Sequence, residues 1–159
     1  MKNILILGGT GTVGNSLYKE LAPYYNTYAT FYKNDSFVNN NFFYFNLTYN
    51  LLKSILKKTK PKLIINVLRG GDESLIKVHK KLVKYCLRNN CRLMLMSGSN
   101  VFDAFHNYPS YECDKTLSES IYGKLQIKLE NLTLKLPYTK CVIIRSAIIF
   151  GSKSPRIKE

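Results

Sequence analysis

The sequence has no hydrophobic run long enough to cross a membrane or to direct secretion. Its first apolar run covers only residues 4–7, between Asn3 and a group of glycines. The apolar part of a signal sequence needs about 7 to 15 residues, and a membrane-spanning helix needs about 20. We therefore expect a cytoplasmic protein that has no membrane partner.

Cysteine is present, but not in a spacing typical of a metal or redox site. The cysteines form no C-x-x-C pair and have no histidine at ligand spacing. They are Cys86, Cys91, Cys113 and Cys141. We expect reduced thiols that are mostly packed inside the protein, and no metal site is predicted.

Acidic residues are scarce beside basic ones. The chain has 10 Asp and Glu against 24 Lys and Arg, which gives a formal net charge of +14. Such a charge is typical of proteins that bind nucleic acid or an anionic membrane. The lysines are scattered, however, and the abundance of Asn, Lys, Tyr, Ile and Phe is what an AT-rich coding sequence produces. We expect no specific nucleic-acid partner, and only weak binding to duplex DNA that is lost at moderate salt.

Apolar residues make up 45% of the chain, and short apolar runs alternate with amphipathic segments. This composition excludes a disordered protein, and the alternation is typical of βαβ units around a parallel sheet. Strands are predicted at residues 4–7, 27–31, 42–45, 63–67, 93–96 and 141–145. No linker or internal repeat interrupts the pattern. The predicted fold is α/β with a mostly parallel, doubly wound sheet.

A glycine-rich segment, Gly8-Gly9-Thr10-Gly11-Thr12-Val13-Gly14, joins the first predicted strand to the first predicted helix. In dinucleotide-binding folds such glycines permit a tight turn, let the backbone approach a pyrophosphate, and let helix pack against strand. The N-terminus of the helix offers free N–H groups to the anion. The segment predicts a Rossmann-like, three-layer αβα fold that binds a dinucleotide. The predicted cofactor contacts are Gly8, Thr10, Gly11, Thr12, Val13 and Gly14.

Four further motifs resemble those of a known family. They are residues 97–103 (SGSNVFD), residues 111–114 (YECD), Tyr122-Gly123, and Arg145 with Phe150-Gly151. In order and spacing they resemble the dTDP-4-dehydrorhamnose reductase family, in the extended branch of the short-chain dehydrogenase/reductase superfamily. The resemblance extends over essentially the whole chain.

The resemblance implies hydride transfer from NADPH or NADH to a keto group of a nucleotide-linked sugar, the expected substrate. Tyr122 matches the general acid, which gives a proton to the developing alkoxide. The family's lysine four residues later is replaced by Gln126, which can hydrogen-bond the nicotinamide ribose but carries no charge. The family's Ser or Thr that binds the substrate carbonyl is replaced by Gly98. Ser97 or Ser99 can take that role only if the loop is reshaped.

Two of the three catalytic positions are therefore altered. Because the loss of one positioned group costs about 10² to 10⁴ in rate, we expect impaired reductase activity. The alternative is a noncatalytic nucleotide-binding or regulatory subunit of the same family.

The type of cofactor depends on the residues that follow the second, third and fourth strands. No acidic residue that would bind the ribose of NAD stands at the end of the second strand. Lys33 stands there instead. It either faces the 2′-phosphate of NADP or is one more surface lysine. NADP is therefore the expected cofactor, with NAD as the alternative. Asn46 replaces the acid that the family directs at the adenine, and Asn66 begins the approximate counterpart of its N-x-A segment. His79 is expected to be packed in the core without a role.

Family members carry a further stretch that supplies a seventh strand and a small substrate-binding domain, whereas this chain stops at Glu159. We expect residues 1–159 to form one NAD(P)-binding domain, with the substrate domain absent or truncated after it. The sequence leaves open whether the chain is a fragment or naturally short, and whether it forms a homodimer.

Overall fold

A computed structural model of the chain describes residues 1–33, 39–70, 73–105, 109–147 and 149. The Phe150-Gly151 pair that contributes to the family resemblance lies outside the described residues. Among the described residues, no helix combines the length and the apolar character that a membrane span requires.

Six strands of the described residues form one sheet in which every pairing is parallel. They are β1 (Asn3–Leu7), β2 (Asn26–Phe31), β3 (Phe42–Tyr44), β4 (Leu63–Asn66), β5 (Arg92–Gly98) and β6 (Cys141–Ser146). Their order in the sheet is β3-β2-β1-β4-β5-β6. The predicted α/β, doubly wound, Rossmann-like fold is confirmed, and the predicted strands are correct to within one or two residues at most ends.

In the part of the chain that the structure describes, four α-helices connect these strands. They are α1 (Thr12–Leu21), α2 (Tyr49–Thr59), α3 (Glu73–Arg88) and α4 (Ile121–Thr133). The described ranges also contain two short 3-10 helices, Ser99–Phe102 and Tyr138–Lys140, which were not predicted. The helix α1 ends two residues before Pro23, as the missing N–H of proline requires.

Helices cover both faces of the sheet, which makes the three layers. On one face, Leu17 of α1 packs in a cluster with Ile6 and Ala29. On the other face, α2, α3 and α4 pack on side chains of β1, β4 and β5, among which Leu5 and Leu95 are almost completely buried. Successive side chains of a strand point to opposite faces, so near-continuous apolar strands are what a sheet covered on both sides requires.

The strand order places a crevice between β1 and β4. The chain runs from β1 outward to β3 and then returns to β4 on the other side of β1. In open α/β sheets, ligands bind at the carboxyl ends of the strands where this reversal occurs. The loops that follow β1 and β4 meet there, since Val67 lies against the backbone of Gly8.

The cysteines are unpaired in the structure. Cys86 and Cys91 are buried in the core, whereas Cys113 is exposed and Cys141 is half-buried. Among the described residues, no group of three or more His, Cys, Asp or Glu is arranged to hold a metal ion.

Candidate functional site

The glycine loop after β1 is held in place by the neighbouring strand β2. The N–H of Gly8 donates to Thr30 Oγ1 at 2.9 Å, and the N–H of Gly9 donates to the Thr30 carbonyl at 2.8 Å. Gly8 has φ of 92°, a left-handed conformation that favours glycine. The tight turn therefore begins at Gly8, where the sequence predicts it.

Gly11 and Gly14 have different surroundings. A Cβ on Gly14 would overlap the Gly8 carbonyl, so this glycine lets α1 pack against the loop after β1. A Cβ on Gly11 would meet only the Gly8 oxygen, at an ordinary 3.4 Å. Gly14 is thus needed for packing, while Gly11 leaves space on the side of the loop that is open to a ligand.

The N-terminus of α1 points toward this space. Gly11 is the N-cap, and no acidic residue stands in the first turn. The first N–H groups of a helix lack acceptors within the helix, and the helix dipole makes this end electropositive. The arrangement is suited to a phosphate or pyrophosphate group.

A first cleft of about 360 Å³ opens beside the glycine loop. Five of the six residues that the sequence predicts as loop contacts line it, and Thr10 does not. Those five are Gly8, Gly11, Thr12, Val13 and Gly14. The remaining lining residues are Val67, Leu68, Arg69, Met96, Ser97, Tyr122 and Ile149. The cleft thus joins the ends of β1, β4 and β5 to the start of α4.

A second cleft of about 340 Å³ adjoins the first. Its lining consists of Arg69, Ser97, Gly98, Ser99, Asn100, Tyr122, Ser146 and Ala147. Arg69, Ser97 and Tyr122 line both clefts. These three side chains therefore stand where a ligand in one cleft would meet a ligand in the other.

Tyr122 is positioned by the hydrogen bonds at the start of α4. Ser120 is the N-cap, and its Oγ accepts from the N–H of Gly123 at 3.0 Å. The Ser120 hydroxyl in turn donates to Asp103, whose other carboxylate oxygen accepts from the N–H of Glu119 at 2.7 Å. These hydrogen bonds, that of Ser120 first, hold the pKa of the Asp103 carboxyl below its usual value. The carboxylate therefore fixes the first turn of α4, on which Tyr122 lies.

Gly123 allows α4 to approach the 3-10 helix after β5 very closely. A Cβ at this position would overlap Ser118 Oγ and the Asn100 carbonyl. The Tyr-Gly pair of the family resemblance thus combines a side chain that reaches both clefts with a glycine that the packing requires.

Among the described side chains, two polar atoms are buried without a hydrogen-bond partner. They are Ser97 Oγ, in a residue that is 4% exposed, and Gln126 Oε1, in a residue that is 1% exposed. Buried polar groups in proteins are nearly always paired, so each unpaired atom needs an explanation. For Ser97, which lines both clefts, a bound ligand supplies one.

Gly98 stands at the position where the family has a Ser or Thr. A Cβ on Gly98 would lie 3.3 Å from Asn100 Oδ1, so the Asn100 amide stands over the glycine. Ser99 is exposed and lines the second cleft only. Of the two serines that the sequence offers as substitutes, Ser97 lies at the junction of the clefts and Ser99 at the margin of one.

The structure keeps three other predicted contact residues away from the clefts. Lys33 is exposed, with its Nζ 5.6 Å from the centre of the Tyr32 ring, and Asn46 is exposed just after β3. Asn66, at the end of β4, is buried. None of the three lines either cleft, so their roles toward a cofactor stay predictions.

Asn66 holds the cleft wall through a buried network that includes His79. Its Oδ1 accepts from the N–H of Leu68 at 3.2 Å, and its Nδ2 lies 3.0 Å from His79 Nδ1. On the other side of the ring, His79 Nε2 lies 2.8 Å from Thr133 Oγ1, which donates to the Leu129 carbonyl. Thr133 must therefore accept from Nε2, which leaves Nδ1 to accept from Asn66.

The His79 ring is fully buried, as the sequence predicts. Burial lowers the pKa of His79 to about 4, although a hydrogen bond with Leu129 acts in the opposite direction. The ring is neutral at pH 7 and connects α4 through α3 to the end of β4.

Arg145 ties together several of the motifs that resemble the family. Its Nε and Nη2 donate to the Glu130 carboxylate at 2.9 to 3.3 Å, and Glu130 is 2% exposed. Its Nη1 donates to the Glu112 carbonyl at 2.8 Å, and its guanidinium lies 4.9 Å from the centre of the Phe102 ring. This arginine is thus neutralised, and it holds β6, α4 and the 111–114 segment together.

The sequence interpretation missed Arg69, Asn100 and Ser146 as cleft residues. A signal for Arg69 was available, because it follows a buried strand at the edge where doubly wound folds bind ligands. For Asn100 and Ser146 the sequence carries no such signal, since their placement depends on the 3-10 helix and on the pairing of β6 with β5.

The comparisons with known proteins agree with this geometry. The family model for the RmlD substrate binding domain matches residues 76–157, about half of the chain. The chain belongs to this family. No curated protein matches it in sequence at a significant level.

Solved structures share the fold. A hypothetical dTDP-4-dehydrorhamnose reductase from Sulfolobus tokodaii matches with a TM-score of 0.79 at 20% identity, over 94% of this chain and 57% of the other. The dTDP-4-dehydrorhamnose reductase from Yersinia enterocolitica matches with a TM-score of 0.74 at 21% identity, over 95% and 54%. The dTDP-glucose 4,6-dehydratase from Bacillus anthracis, solved in complex with NAD, matches with a TM-score of 0.71 at 17% identity, over 91% and 54%. The chain therefore spans little more than half the length of these proteins.

Proposed function

We propose that the chain binds NADP or NAD in the first cleft and belongs to a reductase of a nucleotide-linked keto sugar. One observation carries the proposal: Tyr122 lines both clefts, so its phenol stands where a cofactor in the first would meet a substrate in the second. The family assignment and the dehydratase solved with NAD support the same class of ligand.

The residues of the first cleft fit a dinucleotide. The N-terminus of α1 suits the pyrophosphate, and the open side of Gly11 lets the backbone approach it. Val67 and Leu68 supply an apolar wall, and Asn66 fixes that wall through the N–H of Leu68. When bound, the dinucleotide supplies the hydride.

The residues at the junction of the clefts suit the proton side of the reaction. The Tyr122 hydroxyl gives a proton to the oxygen that becomes an alcohol. Ser97 Oγ, buried and unpartnered, is available to donate to the same oxygen. Gln126 Oε1 also lacks a partner, but Gln126 lines neither cleft, so its hydrogen bond to a ribose hydroxyl, one of the two roles of the family's lysine, stays a prediction.

A noncatalytic nucleotide-binding or regulatory subunit is the second candidate, and it is favoured by the charge around Tyr122. The buried amide of Gln126 replaces a cation, and Lys124 and Lys128 on the same helix are exposed. Neither of these lysines lines a cleft. Such a site binds a dinucleotide and does little chemistry with it.

The cofactor proposal is tested by titrating NADPH and NADH into the purified chain by calorimetry. Gly11→Val is expected to abolish binding and leave the fold intact, because a Cβ at this position makes only one ordinary contact in the free protein. Gly70→Val is the matched control, since Gly70 has open space around it and lines neither cleft. Unchanged affinity in Gly11→Val would contradict the assignment of the first cleft.

The reductase proposal is tested by following NADPH oxidation with a dTDP-4-keto sugar. Slow oxidation that Tyr122→Phe abolishes supports the reductase. Tight dinucleotide binding without oxidation, unchanged in Tyr122→Phe, supports the regulatory alternative. Because the chain spans about half of its solved relatives, the assay is repeated with a related C-terminal region added.

A further inference from the structure

We propose that the side-chain amide of Asn100 takes the place of the hydroxyl that Gly98 lacks, and donates a hydrogen bond to the carbonyl oxygen of the substrate. This inference rests on the proposed function, because it adds a catalytic residue to the same reaction. The family resemblance assigns no role to Asn100, and the sequence carries no signal that it is a cleft residue.

The backbone at Gly98 does not require a glycine. Its φ of −135° and ψ of 160° are those of extended backbone, which any residue adopts. A Cβ at this position would lie 3.3 Å from Asn100 Oδ1, which is closer than a Cβ ordinarily approaches another heavy atom. The absence of a side chain at Gly98 therefore leaves room for the Asn100 amide.

The backbone of Asn100 is fixed against the helix that carries Tyr122. Asn100 lies in the 3-10 helix Ser99–Phe102, and its carbonyl accepts from the N–H of Asp103 at 3.4 Å. A Cβ on Gly123 would overlap the same carbonyl, so the 3-10 helix touches the first turn of α4 at this point. Asn100 and Tyr122 both line the second cleft. The amide and the phenol therefore border one space.

The Asn100 amide is available to a ligand in this space. Among the described residues, it has no hydrogen-bond partner. The hydroxyl of Ser146, by contrast, donates to the Ser97 carbonyl at 3.4 Å, so its proton is already engaged. A half-turn of the amide exchanges its oxygen and its nitrogen, so Nδ2 with its two protons can face the space above Gly98.

Reduction of a carbonyl needs hydrogen-bond donors at the carbonyl oxygen. As the carbonyl carbon accepts the hydride of the reduced dinucleotide, the electron pair of the π bond moves onto the oxygen, which takes a proton from Tyr122. Donors that are already in place stabilise the negative charge that develops on this oxygen in the transition state. Asn100 reaches the oxygen from the second cleft, and Ser97 reaches it from the junction of the two clefts. Two donors thus replace the single Ser or Thr of the family.

The hydrogen bond is tested by ¹³C nuclear magnetic resonance in a complex that cannot react. A dTDP-4-keto sugar labelled with ¹³C at the keto carbon is added at millimolar concentration to the chain with saturating NADP⁺, which has no hydride to give. The carbon resonance should move downfield on binding, and Asn100→Ala should lose most of this shift. Asn131→Ala removes the same amide from an exposed position of α4 outside both clefts and is the control. Equal downfield shifts in the wild type and in Asn100→Ala, or no shift in either, would overturn the proposal.

The rate of NADPH oxidation gives a second test. Asn100→Ala is expected to lower kcat about 10²- to 10³-fold and to change KM little, because the amide acts on a charge that develops in the transition state. The urea midpoint of this variant should stay at the wild-type value, since the Asn100 side chain is exposed. A loss of kcat that only follows a loss of stability would assign Asn100 a structural role and contradict the proposal.

A change at Gly98 supplies the rescue. Gly98→Thr alone should lower the rate, because the new side chain crowds the Asn100 amide. In the double variant with Asn100→Ala, the threonine hydroxyl has this space to itself and should restore part of the rate. Strictly additive effects would show that the amide and the hydroxyl do not compete for one place, which would count against the inference.

The outcomes distinguish this inference from the proposed function. If the ¹³C shift depends on Asn100 but NADPH is not oxidised, the hydrogen bond stands and the reductase proposal fails. If NADPH is oxidised at a rate that Asn100→Ala leaves unchanged, the reductase proposal stands and the inference is wrong.

Discussion

Acid should destabilise this protein at a pH where most small domains are still at their most stable, because His79 is buried as a neutral ring. In the folded chain its pKa is about 4, whereas an unfolded histidine has a pKa of 6.5. Between these two pH values, His79 binds a proton in the unfolded state but stays neutral in the folded state. Stability therefore falls as the pH decreases from about 6.5 to 4, by about 1.4 kcal/mol per pH unit at most.

The magnitude follows from the two pKa values. At pH 7.5 both states are neutral and His79 contributes almost nothing to the pH dependence. At pH 5.0 the free energy of unfolding is lower than at pH 7.5 by about 2 kcal/mol, and below pH 4 the loss approaches about 3 kcal/mol. For a domain whose total stability is about 5 to 15 kcal/mol, this is a substantial share.

The assay is urea unfolding followed by far-ultraviolet circular dichroism at pH 7.5, 6.5, 5.5 and 5.0. The His79→Gln variant should be less stable at pH 7.5, because it disturbs the hydrogen bonds to Asn66 and Thr133. It should also lose most of the pH dependence in this range. The other histidine of the chain, His106, lies outside the described residues and provides the control His106→Gln.

The result that refutes this reasoning is an equal decrease in stability from pH 7.5 to 5.0 in the wild type and in His79→Gln. If the decrease in stability disappears in His106→Gln instead, the effect belongs to His106 and not to His79. A positive result has a consequence for the site. Protonation of Nδ1 removes the acceptor for Asn66 Nδ2, which weakens the hold of Asn66 on the N–H of Leu68 in the cleft wall.

The remaining predictions concern the cofactor, the catalytic helix and the buried ion pair. NADPH should bind more tightly than NADH, and Lys33→Ala should reduce this difference in affinity. Equal affinities of the wild type for NADPH and NADH would contradict this prediction. If the chain reduces a keto sugar, Gln126→Lys should raise the rate, because it restores a cation beside Tyr122; brisk wild-type turnover that falls in this variant would contradict the family mechanism. Arg145→Met should lower the free energy of unfolding by about 3 kcal/mol or more, since it leaves the Glu130 carboxylate buried and unpaired. Urea unfolding should show a smaller loss in the double variant Arg145→Met with Glu130→Gln than the two single losses together, and strict additivity would count against a coupled pair.

The strands and the glycine loop could be predicted because their signals are local. Buried strands leave short apolar runs such as residues 63–67, and a turn with positive φ needs a residue such as Gly8. Even the burial of His79 followed from its place on an apolar stripe. The doubly wound parallel sheet then follows from the general behaviour of βαβ units, whereas the order of its strands is known from the structure.

The features that could not be predicted depend on contacts between distant residues. The 3-10 helix at Ser99–Phe102 exists where α4 approaches it, with Gly123 against the Asn100 carbonyl. Whether an arginine is free or neutralised also depends on residues far away in the sequence. The sequence does not distinguish Arg145 from Arg69. Among the described residues, however, Arg145 forms an ion pair with a buried carboxylate and Arg69 does not.

The two unpaired oxygens beside Tyr122 link these observations to function. An unsatisfied buried polar group costs about 1 to 3 kcal/mol, so Ser97 Oγ and Gln126 Oε1 lower the stability of the free chain. They lie on β5 and α4, and α4 is held at its start by Asp103 and near its end by the pair of Glu130 with Arg145. These restraints oppose a shift of α4 that would bring Gln126 Oε1 to a new partner. Of the two residues, Ser97 lines both clefts, so a ligand that bonds its hydroxyl restores that interaction, and its binding should therefore raise the melting temperature more in the wild type than in Ser97→Ala.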